Sequence, residues 1–250
     1  MIQALGTIKI PLNKFVTFCP NFIFFDNPHG LDKLPAKAFD SVLLHFMAME
    51  DKDNGKGDRA LAALNRCRTI RSIDCNKAKV SDEGPSQIGD LQELESHYLF
   101  STEVKGTFLK NLSGGRELRH IDLAHTSLDP NNLLYLRQYK NLQKLGLMRT
   151  GAKGPNLTPL GQCSNLQSLD LAYNPDVDDT LVAALKPLKK LKFVRLKGTS
   201  ITDRGLKELN ALGIHANRES STPPATVSPT AKEELTRKQD IERILAPTSR

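Results

Sequence analysis

Four copies of one pattern constrain how this chain can fold more than any other feature: LRHIDLAHTSL from Leu118, LQKLGLMRTGA from Leu142, LQSLDLAYNPDV from Leu166 and LKFVRLKGTSI from Leu191. Their starts, at 118, 142, 166 and 191, stand 24, 24 and 25 residues apart. Each copy holds apolar residues at positions 1, 4 and 6, a Thr or Asn at position 9, and a further apolar residue just beyond. In an extended segment positions 4 and 6 share one face and position 5 points to the other. A unit this small cannot bury its apolar face alone, so successive units must cover one another. The pattern therefore predicts short parallel strands stacked side by side, each followed by a returning segment that packs behind the sheet.

The same frame extends upstream to LQELESHYL from Leu91, IRSIDCNKAKV from Ile70 and FDSVLLHFMAM from Phe39, with an insertion, DNGKG, at residues 53 to 57 of the Phe39 unit. Together these segments resemble the leucine-rich repeat, L-x-x-L-x-L-x-x-N-x-L. The resemblance implies an α/β solenoid of about seven repeats over residues 39–215, a curved parallel sheet with short helices or 3-10 turns on its convex side. The variant TSITDRGL is similar to the repeats of F-box-associated receptors and of many bacterial repeat proteins. No F-box precedes it, so a receptor role is not implied. Composition agrees with a leucine-built core, since the chain has no tryptophan and only 6% aromatic residues against 39% hydrophobic ones.

Position 9, where the chain leaves the strand, reads Thr126, Thr150, Asn174 and Thr199, and upstream Met47, Ala78 and Leu99. A side-chain hydroxyl or amide there can satisfy backbone groups that the turn leaves unpaired. Thr202 reads as the N-cap of a helix over DRGLKELNAL and Gly213 as its stop. Gly154, Pro155 and Pro159 point instead to a 3-10 return in the middle unit.

Residues 1–38 read as a cap on the first repeat, with IKIPL, VTF and FIFF as extended pieces. Beyond residue 215 the polar, proline-rich NRESSTPPATVSPT reads as a flexible linker. It leads to AKEELTRKQDIERIL, a short amphipathic helix in an otherwise mobile 216–250 tail.

In this frame positions 3, 5, 7 and 8 line the concave sheet. Position 5 brings Asp74, Glu95, Asp122, Asp170 and Arg195, position 3 brings His120, Lys144 and Phe193, and position 8 brings Phe46, Tyr98, His125, Arg149 and Tyr173. That face is acidic in its first half and basic later. It carries four of the six histidines, His45, His97, His120 and His125, and a large share of the few aromatics. Rings supply contact area at low entropic cost and charges select the partner, so these residues are the candidate surface for binding another protein or peptide. Two other readings stand beside it. One is a scaffold module that works through its ends or tail. The other is a metal protein in which His97, His120 and His125, with Asp122 or Glu95, hold zinc.

The net charge of +7 suits an anionic partner. The basic run KPLKKLKFVRLK, residues 186 to 197, lacks the interleaved rings that stack on bases, so nucleic acid is not the expected partner. The motifs G-x-S-x-G and H-E-x-x-H are absent, and so is a Gly-rich phosphate loop, which points to a non-enzyme without a cofactor. Four scattered cysteines form neither a metal spacing nor a disulfide framework. The start MIQALGTIKIPLNKF is no secretory signal and no stretch is apolar enough to span a bilayer, so the expectation is a cytoplasmic chain, with secretion the alternative where a signal lies upstream.

Overall fold

A computed structural model describes residues 15–20, 24–25, 28–33, 35–44, 55–89, 91–112 and 117–218. The expected helix within AKEELTRKQDIERIL, the IKIPL piece and the Phe46 position lie outside them. Among the described residues nine parallel strands form one sheet in chain order: β1 (Thr17–Phe18), β2 (Ser41–Leu43), β3 (Ser72–Asp74), β4 (Ser96–Tyr98), β5 (His120–Asp122), β6 (Lys144–Gly146), β7 (Ser168–Asp170), β8 (Phe193–Arg195) and β9 (His215–Asn217). Parallel neighbours in chain order require every connection to travel back behind the sheet. The returns are α-helical at Lys56–Leu64, Glu83–Ser86, Thr180–Leu185 and Asp203–Ala211, and 3-10 at Pro28–Lys33, Thr107–Lys110, Pro130–Gln138 and Gly154–Gln162.

The core lies between sheet and returns. Position 4 is in register from coil to coil, Val42 beside Ile73, His97, Ile121, Leu145, Leu169 and Val194. Leu123, Leu147 and Leu171 at position 6 are fully buried, as the apolar frame requires. The helix expected from Thr202 onward is present: the Thr202 side chain accepts from the Gly205 N–H at 3.2 Å, and Gly213 follows with φ of 80°. The 3-10 return around Pro155 and Pro159 also forms as expected. At the N-terminal side, the VTF piece supplies β1, whose Phe18 stacks on Phe39 at 4.6 Å and meets Phe24 edge-on at 5.2 Å. Phe24 and Phe25 are helical, where an extended piece was expected.

Strands β3 to β8 end in the same turn. Position 8 sits in the left-handed region six times running, at Lys77, Ser101, His125, Arg149, Tyr173 and Gly198, with φ between 53° and 68°. This conformation costs a non-glycine residue about 1 kcal/mol. Position 9 helps to hold the turn, because its side chain donates back to the position 6 carbonyl: Thr102 to Leu99, Thr126 to Leu123, Thr150 to Leu147 and Thr199 to Leu196, at 2.7–2.8 Å. Asn174 does more. Its amide donates to the Leu171 and Leu147 carbonyls, and its Oδ1 accepts from the N–H groups of Thr150 and Ala152, which ties two coils together in a dry interior.

On the return side, carboxylates reach forward to the next coil. Asp58 accepts from Ser81 and Gly84, Asp82 from Lys105 and Gly106, and Asp179 from the Thr202 N–H and hydroxyl. At Gly205 a Cβ would lie 2.2 Å from Asp179 Oδ1, so glycine is needed for that approach.

The pairing corrects one frame. Ser96 is opposite His120 and Tyr98 opposite Asp122, so the coil starts at Leu94, three residues after the Leu91 assigned from the pattern. The true spacing to Leu118 is 24, and position 9 is Thr102 rather than Leu99. His97 hides this register, because it occupies position 4, where the pattern demands an aliphatic side chain. The insertion assigned to 53–57 is also shifted at its end, since Lys56 and Gly57 open the helix Lys56–Leu64.

Candidate functional site

The face of the sheet opposite the returns is the candidate site. Positions 3 and 5 of β4 to β7 are partly exposed there while position 4 is buried between them. His120, Asp122, Lys144, Asp170, Phe193 and Arg195 occupy the positions expected of them, and His125, Arg149 and Tyr173 follow on the left-handed turn position. Two residues do not. Tyr98 stands at position 5, in the strand itself, and Glu95 precedes β4, where it pairs with Arg119 at 3.8 Å.

The acidic residues of this face serve the turns. Oδ1 of Asp74, Asp122 and Asp170 accepts from the backbone N–H two residues on, at Asn76, Ala124 and Ala172, at 2.9–3.0 Å. Such short-range carboxylate bonds hold the chain as it leaves the strand. Asp74 is 4% exposed, so it offers almost nothing to a partner. Asp122 leans over Gly146, where a Cβ would come within 2.3 Å of its Oδ1. Its pKa is raised, first by burial and then by Asp170 and Asp74. Asp170 forms a 2.8 Å ion pair with Arg195.

The histidines separate into different environments. His97 is completely buried, with neither ring nitrogen hydrogen-bonded, and burial lowers its pKa to about 3. It therefore does not belong to the open face, and the proposed His97–His120–His125 zinc cluster is not assembled. Among the described residues no group of three or more His, Cys, Asp or Glu is arranged to hold a metal ion. His120 is partly buried beside Ser96 Oγ at 3.3 Å, and its pKa is lowered to about 4 by burial and by Lys144 and Arg119. His125 packs on Phe100, with ring centroids 4.9 Å apart.

Aromatic side chains gather in the last coils. Tyr173 has the Arg149 guanidinium over its ring at 4.9 Å and the Lys197 ammonium at 5.6 Å, one from the coil on each side. Phe193, 39% exposed, meets His215 edge-on at 6.0 Å. His215 lies outside the assigned frames because Gly213 replaces the leucine that would announce its strand. The lysines of the basic run separate as their positions imply: Lys189 and Lys190 stay on the turn before β8, and Lys190 donates to Asn165 at 2.7 Å. On the return side, Asp58, Arg59, Glu83 and Gln87 line a cavity of about 270 Å³, in which Asp58 is already committed to Ser81 and Gly84.

No protein-family model matches this chain, and no curated protein matches it. Among solved structures it is similar to an internalin (InlF) of Listeria monocytogenes, with a TM-score of 0.52 and 15% identity over 77% of this chain. The fold is a leucine-rich-repeat solenoid. The match covers 59% of the internalin chain, so the solenoid described here spans less than two thirds of that protein. No helix among its described residues is long and apolar enough to cross a membrane.

Proposed function

We propose that the chain is a non-catalytic recognition module that binds a protein or peptide on the open face of its sheet. The supporting observation is where apolar surface remains. Large hydrophobic side chains are exposed at four described positions, Phe15, Tyr173, Phe193 and Leu212, and two of them stand in adjoining coils of that face. Rings held rigidly among charges are the composition of protein-recognition surfaces. The reading includes the expected organisation, a cap over 1–38, the repeats over 39–215 and a linking tail over 216–250, in a cytoplasmic chain.

A second reading rests on the end of the sheet. Strand β9 pairs with β8, no described strand follows it, and Leu212 is exposed beside it. β9 is the last described strand, and a strand of another protein added beside it would suit a scaffold that joins proteins end to end. Pull-down of partners with Tyr173→Ala/Phe193→Ala, compared with deletion of residues 219–250 and with Leu212→Glu, separates the two. Loss of partners only with the ring substitutions supports the open face, and loss only with the other two supports the edge.

A further inference from the structure

Along β6 to β8 the open face carries more cations than anions. Asp74 is buried, Asp122 and Asp170 bond their own turns, Asp170 also holds Arg195, and Glu93 and Glu95, which precede β4, pair with Arg71 and Arg119. By contrast Lys144, Arg149 and Lys197 make no ion pair among the described residues; Arg149 and Lys197 flank the Tyr173 ring, and Lys144 stands two strands from Phe193 at the same register position. A rigid surface with unpaired cations around exposed rings is complementary to a carboxylate-bearing, partly apolar ligand.

We infer that the face formed by β6 to β9 binds an acidic peptide segment in extended conformation, lying across the strands. This rests on the open-face reading and adds the chemistry of the partner. Arg149 and Lys197 lie two coils apart, a span of about 10 Å at the usual strand spacing of about 4.8 Å. An extended chain with three residues per turn and a rise of about 3.1 Å returns a side chain to the same side at nearly that interval. Two carboxylates three residues apart therefore meet the two cations, and an apolar side chain of the same segment meets Phe193. Nucleic acid fits less well, because Tyr173 and Phe193 are the exposed rings of this face among the described residues, too few to stack successive bases.

The test uses the full chain to pan a random twelve-residue peptide library, followed by fluorescence anisotropy with the tightest peptide, a dT12 oligonucleotide and phosphatidylserine vesicles. The expected result is enrichment of peptides rich in Asp and Glu. Their affinity should fall at least tenfold in Arg149→Glu/Lys197→Glu and threefold or more in Phe193→Ala, and should hold within twofold in Lys186→Glu/Lys189→Glu. Circular dichroism melts check that each variant is folded. Enrichment of neutral or basic peptides, no enrichment, or tighter binding of the oligonucleotide or the vesicles overturns the inference. If enriched peptides keep their affinity in the charge-reversed variant but lose it in Ser72→Arg/Ser96→Arg, the acidic-peptide inference fails while the open-face reading survives. Loss only with Leu212→Glu removes both.

Discussion

His97 places a titratable ring in the layer that elsewhere holds Val, Ile and Leu, between Ile73 and Ile121, with Phe108 at 6.1 Å between ring centroids. Both nitrogens are buried without a hydrogen-bond partner. In the unfolded chain such a ring titrates near 6.5, and burial lowers the folded value to about 3. As the pH falls below 6.5 the unfolded chain takes up a proton that the folded one refuses. Stability is therefore present above that pH and lost toward pH 3, at about 1.4 kcal/mol per unit, or about 2 kcal/mol by pH 5. His97→Leu replaces the ring with the residue the layer expects at similar volume. It removes the acid-dependent loss together with an orphaned-group cost of about 1–3 kcal/mol. Urea unfolding of parent and variant at pH 8, 6.5 and 5 and constant ionic strength checks this. His120 and the carboxylates titrate in both proteins and cancel in the difference. The variant should be more stable at pH 8, by about 1–3 kcal/mol, and the gap should widen by about 2 kcal/mol at pH 5. A gap that stays constant across the series would refute a neutral, unpaired imidazole in the core.

Asn174→Ala leaves two N–H groups and the Leu171 carbonyl in the interior without their partner and removes one of two donors to the Leu147 carbonyl, so chemical unfolding should show a loss of about 3 kcal/mol, whereas Thr102→Ala, which breaks one bond to Leu99, should lose about 1 kcal/mol. Ser101 is exposed with φ of 56°, so Ser101→Gly should raise stability by up to about 1 kcal/mol and the β-branched Ser101→Val should lower it, both read from urea midpoints. Gly205→Ala forces Asp179 away from Thr202 and should cost about 1–3 kcal/mol, with faster amide exchange at Thr202 as a local signature.

How much of this was legible in the sequence depends on which force fixed each residue. Coils from Leu118 onward were readable because apolar side chains at positions 1, 4 and 6 must be buried in a solenoid, and Thr or Asn at position 9 marks the turn. The frame failed at Leu91 where His97 took a core position, since a polar letter gives no warning that burial has overridden its preference. The Leu94 start still left two traces, the 24-residue interval to Leu118 and a threonine at 102. The return segments were legible where caps and prolines act locally, at Thr202 and at Pro155 and Pro159. Residues of the open face were placed by register alone, which is why Tyr98 and Glu95 moved when the register moved. Pattern could not show that Asp74 and Asp122 are tied to their own turns. That depends on side-chain geometry, and it changes the reading of the face from half acidic to positive in what a partner can reach.

The claim that a partner occupies the open face is tested most directly by hydroxyl-radical footprinting of the full chain, alone and with the tightest library peptide. The account predicts that oxidation of Tyr173 and Phe193 falls at least threefold on binding, while Tyr135 and Leu206 on the return side and Leu212 near β9 are unchanged. Unchanged oxidation of Tyr173 and Phe193, with protection appearing at Leu206 or Leu212 instead, would contradict it.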